Sequence, residues 1–250
     1  MPDSIAPVTI TIEEREKNII NSLVQKLDTL KIEVPDSFVL LSFEELENRL
    51  SEEEKSLMRT ILNIEPTKYG VKAPYLGIES VPQDIVAIKG QKYIWEGEEK
   101  NIATQYLPKN VYDAYLEMNK ALKKDISSTT VAGSDPATVG LLVKSGYRSP
   151  AYQFLTFIHW LQKNDFDIQK TFARVALPGY SEHGYPPRQA IDFMNTAGVI
   201  WGNKICFDET EEYKWLLKNA AAYGFFLSYP KDNDEGMMFE PWHWHYSAKR

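Results

Sequence analysis

Glu240-Pro241-Trp242-His243-Trp244-His245-Tyr246, close to the end of the chain, decides how the rest is read. It holds two of the four histidines beside a carboxylate and three large aromatics. Pro241 removes a backbone donor and fixes its own φ, which works against a helix. Trp242, Trp244 and Tyr246 alternate with the period of two that marks a half-buried strand. His243 and His245 then share the face opposite the aromatics, two imidazoles over a floor of indole and phenol. Glu240 has the parity of the aromatics. It reaches the histidine face only if the chain bends at Glu240-Pro241, where the strand would begin.

Working outward, the nearest partners for these histidines lie upstream. Residues 177–187 form a loop by composition and contain His183. Residues 189–193 read as a strand with Ala190 and Asp192 on one face and Ile191 and Phe193 on the other. His183, Asp192 and His243 make a ligand set of the kind a catalytic zinc uses, three protein groups with one position left for water. Glu240 would then stand near the metal without binding it, placed to move a proton from water to a leaving amine. From the residues alone this is one assignment among several, since a lone histidine is more often a satisfied structural residue. A hydrogen-bonded polar core without metal is the competing reading. Cys206 is the only cysteine, so there is no internal disulfide and no cysteine-based zinc site.

Residues 11–65 read as helical. Thr11 is the expected N-cap of a first helix carrying Ile19, Ile20, Leu23, Leu27 and Leu30 at helical spacing. Ser42 starts a second helix, and Ser51-Glu52-Glu53-Glu54 is a capping box for a third. Pro and Gly then punctuate residues 64–108, with a hairpin expected around Gly90 in residues 85–95. A helix follows over 109–124, a surface loop over 127–136, a short strand at 141–143 and an aromatic helix over 151–163. Thr210 caps a helix from Glu211 to Tyr223, with Gly224 as its C′ residue, and residues 225–228 are a strand. Trp201, Trp215, Tyr223, Phe225 and Phe226 are expected in the core. His159 is expected in a core or interface, and Cys206 as a buried inert thiol.

A chain of 250 residues with a formal charge of −7 and no Lys/Arg run argues against a nucleic-acid binder. No apolar run approaches the roughly 20 residues of a membrane span. Met1-Pro2-Asp3-Ser4 has neither a basic n-region nor an apolar h-region. The expected location is the cytoplasm, or the bacterial cell envelope if a leader has been removed.

Three blocks in order carry a resemblance: Ser145-Gly-Tyr-Arg148-Ser-x-x-Tyr152-Gln153, Ser181-x-His183 leading to Ala190-x-Asp192, and Glu240-x-Trp242-His243. Together they resemble the signature of the zinc D-alanyl-D-alanine carboxypeptidases and dipeptidases, the lysostaphin-like group that includes the vancomycin-resistance enzymes. The resemblance covers residues 66–250 and leaves 1–65 as an N-terminal helical extension. It implies an α+β fold, a small, mostly antiparallel sheet carrying the zinc site and flanked by helices. It implies His183, Asp192 and His243 as Zn2+ ligands, Glu240 as catalytic base and Arg148 as the cation steadying the oxyanion. Ser181 and Gln153 would shape the pocket or bind substrate. The implied activity is hydrolysis of the D-amino-acid end of peptidoglycan stem peptides, at a D-Ala-D-Ala or an L,D bond.

One departure stands out. His183 and Asp192 are nine positions apart, two more than the family's usual spacing, and Arg188 stands where a Gly is usual. A loop absorbs two residues at little cost. Pro186-Pro187 is expected to bulge beside the metal and narrow the cleft. His245 stands where an Arg is common, as a partner of a ligand, a substrate contact or a plain strand residue. The insertion and the missing Gly sustain a second reading, a catalytically silent relative that binds zinc or peptidoglycan.

Overall fold

A computed structural model describes residues 12–129, 139–199 and 206–248. The N-terminal helices are α1 (Glu14–Glu33), α2 (Phe43–Glu47) and α3 (Glu52–Leu62). Thr11, the expected first cap, lies outside the described residues; the Glu13 N–H is taken instead by the Glu16 carboxylate at 2.9 Å. Ser42 and Ser51 cap as expected, each hydroxyl accepting the N–H three residues on, at 3.1 and 3.3 Å. Ser22 on α1 donates to the buried Glu54 at 2.8 Å and so ties the third helix to the first.

The expected hairpin around Gly90 does not form. Strand β1 (Ile85–Ile88) pairs instead with β4 (Gln105–Pro108), and β2 (Lys92–Trp95) pairs with β3 (Glu98–Asn101). The turn between β2 and β3 is Glu96-Gly97, both at positive φ (52° and 82°). Two consecutive positive φ values give the tight turn that matches strand twist, and this local preference outcompetes a turn at Gly90.

The sheet that matters for the site has four antiparallel strands in the order β5-β6-β8-β7: β5 (Leu141–Ser145), β6 (Ala190–Asn195), β7 (Phe225–Leu227) and β8 (His243–Tyr246). Alternation divides its faces. Leu141, Val143, Ile191, Phe193, Phe225 and Trp244 pack with α4 (Lys109–Thr129) and α7 (Glu211–Asn219) in one apolar cluster. The opposite parity carries Asp192, His243 and His245. A second cluster joins α1–α3 to α5 (Pro150–Lys163) and α6 (Ile168–Phe172), with Ile20, Leu23 and Leu27 beside Phe154, Phe157 and Leu161. Apolar packing is thus continuous across residue 65. The α+β architecture, helices around a small antiparallel sheet, is the one expected. Among the described residues no helix is long and apolar enough to cross a membrane.

Two expectations of burial need revision. Phe226 is 40 % exposed because the three-residue edge strand β7 turns it away from Phe225 and Leu227. Cys206 is exposed, not buried, standing at the start of a short helical turn before α7. His159, expected in a core or interface, is half-buried on α5. Trp201 lies outside the described residues. Trp215 is buried as expected, and Gly224 closes the α7 region at φ 87°.

The segment after β5 is fixed by a bulge between Val143 and Ser145, which sets Ser145 opposite Asp192. A bulge re-aims the residues that follow it. Gly146 then passes so close to the Tyr106 carbonyl that a Cβ would collide with it, while Tyr147 donates to that same oxygen at 2.6 Å. The next links are Arg148 N–H to His183 O (3.0 Å) and Ser149 N–H to Val39 O (2.9 Å), so the N-terminal segment braces the start of α5 directly.

Two outcomes are expected. Removing residues 1–65 strips α5 of its apolar partners, so the remainder should unfold at a much lower temperature or be insoluble; an unchanged melting curve would contradict the shared core. Gly146→Ala should cost roughly 1–3 kcal/mol through overpacking against backbone, read from urea unfolding, and a variant as stable as the parent would show that the close approach is easily relieved.

Candidate metal centre and cleft

The pairing of β6 with β8 sets Asp192 opposite His243. At the start of β8 the chain turns, with His243 N–H donating to Glu240 O at 3.0 Å and the Trp244 indole N–H to Pro241 O at 2.9 Å. This is the bend that Glu240 needed: its Oε2 lies 3.6 Å from His243 Nδ1. His183 arrives from a helical turn at Glu182–Gly184. Its Nδ1 is held by Gly146 O at 2.8 Å, which fixes the proton there and leaves Nε2 facing Asp192 Oδ1 at 3.3 Å. His243 Nδ1 lies 3.0 Å from the same Oδ1.

One ligand atom from each of His183, Asp192 and His243 falls within 4.8 Å of the others, and all three residues are buried. Ligands about 2.0–2.1 Å from a tetrahedral zinc sit about 3.3 Å apart, close to the separations seen. The donor set and its surroundings fit a divalent metal of that kind. His183 is oriented by a carbonyl, and His243 by a carboxylate that the sequence reading left without a role. Glu182 Oε2 accepts from His243 Nε2 at 3.0 Å. A carboxylate on the far nitrogen of a ligating imidazole fixes its tautomer and raises its basicity. Glu182 also accepts from Ser228 Oγ at 2.5 Å and pairs with Arg188. Ser228 lies 2.8 Å from His245 Nδ1, so His245 is a partner of this network. The signal for Glu182 in the sequence was its place between Ser181 and His183, but its partner is 61 residues away.

The electrostatics are those of a buried, tightly coupled group. Burial, reinforced by the nearby Arg148, holds His183 down at about 4, neutral and ready to ligate. Burial opposes a charge on His243, yet its bonds to Asp192 and Glu182 raise it to about 10. Burial works against ionised Glu182 as well, but His243 and His245 hold it at about 2. Glu240 is pushed up to about 7, chiefly by burial.

Arg148 shares the cleft. It donates from Nε to Ser145 Oγ at 2.9 Å, and from its terminal nitrogens to Asp192 Oδ2 at 2.9 Å and, more weakly, to Gln153 Oε1 at 3.4 Å. Asp192 thus turns one oxygen to the imidazoles and the other to the guanidinium. Of five guanidinium N–H groups, these bonds use three and leave two for a ligand. Gln153 is buried and its amide donates to Ala176 O at 2.7 Å, so it props Arg148 as well as lining the cleft. Ser181 lines the cleft too. The space enclosed is about 550 Å³, part of it open solvent. Pro186 and Pro187, expected to narrow it, are not among its lining residues; they form a turn outside it, from which Arg188 reaches Glu182.

Known proteins are similar to this chain in sequence and fold. The D-alanyl-D-alanine carboxypeptidase family, VanY, matches residues 104–249, so residues 66–103 fall outside the match. YodJ of Bacillus subtilis (strain 168) is 29% identical over 196 residues, 70% of this chain and 64% of its own. The D-alanyl-D-alanine carboxypeptidase of Enterococcus faecium is 29% identical over 177 residues, 67% of this chain and 46% of its own. The chain therefore spans about half to two thirds of the length of these curated relatives. Among solved structures, that of the LdcB LD-carboxypeptidase, described for its recognition of peptidoglycan, aligns with a TM-score of 0.50 and 27% identity over 74% of this chain and 79% of that one. With residues 104–249, more than half its length, matched, the chain belongs to the VanY family of D-alanyl-D-alanine carboxypeptidases.

Proposed function

We propose that the protein is a zinc carboxypeptidase that hydrolyses the D-amino-acid end of peptidoglycan stem peptides. The observation that carries this reading is the convergence of His183, Asp192 and His243 with a buried Glu240 carboxylate just beyond them. When bound, a zinc ion supplies Lewis acidity to a water molecule and to the scissile carbonyl. Glu240 takes the proton from the attacking water and returns it to the leaving amine. Its burial raises its affinity for the proton it is to take up. The two uncommitted N–H groups of Arg148 meet the negative charge that develops on the carbonyl oxygen. Glu182 keeps His243 in the tautomer that presents Nδ1. The silent-relative reading loses one support, since the inserted prolines lie off the cleft wall.

The deciding experiment incubates the protein with cell-wall tetra- and pentapeptides, with and without chelator, and reads products by mass. Loss of one terminal D-residue, abolished by chelator and restored by zinc, is expected; intact peptides throughout would leave only a binding role. Glu240→Gln should lower kcat by roughly 10²–10⁴ while retaining metal, and wild-type turnover in that variant would remove the base assignment. Glu182→Gln should weaken zinc binding by roughly 10- to 100-fold in competition with a chromogenic chelator. Unchanged affinity would reduce Glu182 to a structural ion pair with Arg188.

A further inference from the structure

We propose that Arg174, set beside the ring of Trp160, is the subsite for the free α-carboxylate of the substrate's terminal D-amino acid, and so sets the requirement for a chain end. This rests on the carboxypeptidase reading above and deepens it. Arg174 and Trp160 line the same cleft as Glu240 and His243. The cleft has two guanidinium groups, and they are not equivalent. Arg148 is committed to Asp192, Ser145 and Gln153. Arg174 is half-buried and forms no ion pair with an acid among the described residues; its Cζ lies 5.7 Å from the centroid of the Trp160 ring.

A guanidinium with no acidic partner beside it is open to an anion that enters the cleft. The planar fork of an arginine matches a carboxylate with two parallel N–H donors, and an aromatic ring beside it adds a favourable contact for the cation. The backbone below it is equally fixed. Arg174 N–H bonds to Thr171 O at 3.0 Å and Met238 N–H to Ala173 O at 3.1 Å, the latter tying this turn to the segment that leads into Glu240. Gln153 clamps the other side through Ala176 O. The distance between Arg174 and the hydrolytic groups is thereby set by direct backbone and side-chain links rather than by a long loop. A peptide whose carbonyl reaches Arg148 and Glu240 has its leaving residue beyond the scissile bond, and that residue carries the carboxylate. An internal peptide bond offers none.

A second carboxylate in stem peptides, the α-carboxylate of a γ-linked D-Glu, offers the same chemistry from the other side of the bond, and the test separates the two. Acyl-L-Lys-D-Ala-D-Ala as free acid and as C-terminal amide is titrated calorimetrically into the zinc-loaded Glu240→Gln protein, with and without Arg174→Met, which keeps an apolar stem over Trp160. The free acid is expected to bind roughly 10- to 100-fold more tightly than the amide when Arg174 is present. In Arg174→Met that preference should vanish while the amide keeps its affinity within about twofold. Arg174→Lys, charged but without the planar fork, should fall between. An acid-to-amide ratio unchanged in Arg174→Met overturns the proposal. So does a result in which Arg174→Met abolishes discrimination between longer peptides carrying D-Glu and D-isoglutamine but leaves the terminal preference intact. Turnover of the free acid by the wild-type protein is read in parallel. Hydrolysis with an unaltered ratio sinks this assignment alone, whereas a lost ratio without hydrolysis supports it and sinks the catalytic reading instead.

Discussion

The register of β6 against β8 is the constraint on which the rest depends. It places Asp192 opposite His243 and, two residues along, Ala190 opposite His245. A slip of one residue would send every one of these side chains to the other face. Ile191, Phe193 and Trp244 would then face the cleft, and two imidazoles and a carboxylate would face an apolar cluster. The register is therefore enforced from both faces. Aromatic packing against α4 and α7 holds one side, and charge-assisted hydrogen bonds hold the other.

Around that pair the sequence adds supports of decreasing regularity. The bulge in β5 brings Ser145 to Asp192 and starts the tight path through Gly146 that delivers Arg148. Gly146 serves two elements at once, since its carbonyl also orients His183. The turn at Pro241 reverses the parity of Glu240. Glu182 gathers His243, Ser228 and Arg188, and it carries its charge in a buried setting because each of these donates to it. None of these supports is a repeating secondary-structure contact. The bulge and the Pro241 turn are local irregularities, while the bonds of Gly146 and Glu182 join distant segments, which is why the site is a network rather than a motif on one strand.

This division explains what was legible in the chain. The alternation of residues 242–246, the parity of Ala190 and Asp192, and the Ser-led caps at Ser42 and Ser51 are local patterns, and they survive folding because burial and hydrogen bonding act on the same residues that display them. The α+β class followed from those patterns together with the resemblance. The hairpin around Gly90 was misread because a stronger local turn at Glu96-Gly97 lay a few residues further on. Phe226 was misplaced because hydrophobicity alone does not tell which residue of a three-residue edge strand faces outward. The role of Glu182, the outward course of Pro186-Pro187 and the grip of Arg188 were not legible, because each is defined by a partner that only the tertiary fold supplies.

The two walls of the cleft stand on separate foundations. The strands with Asp192 and His243 rest on the apolar cluster with α4 and α7, while α5 and the turn bearing Arg174 rest on the cluster built with α1 to α3. A few bonds bridge them, from Met238 to Ala173, from Arg148 to His183 and from Arg148 to Gln153. Repacking of the N-terminal helices would therefore bear first on which peptides the cleft admits, and would reach the hydrolytic groups only through those few joints.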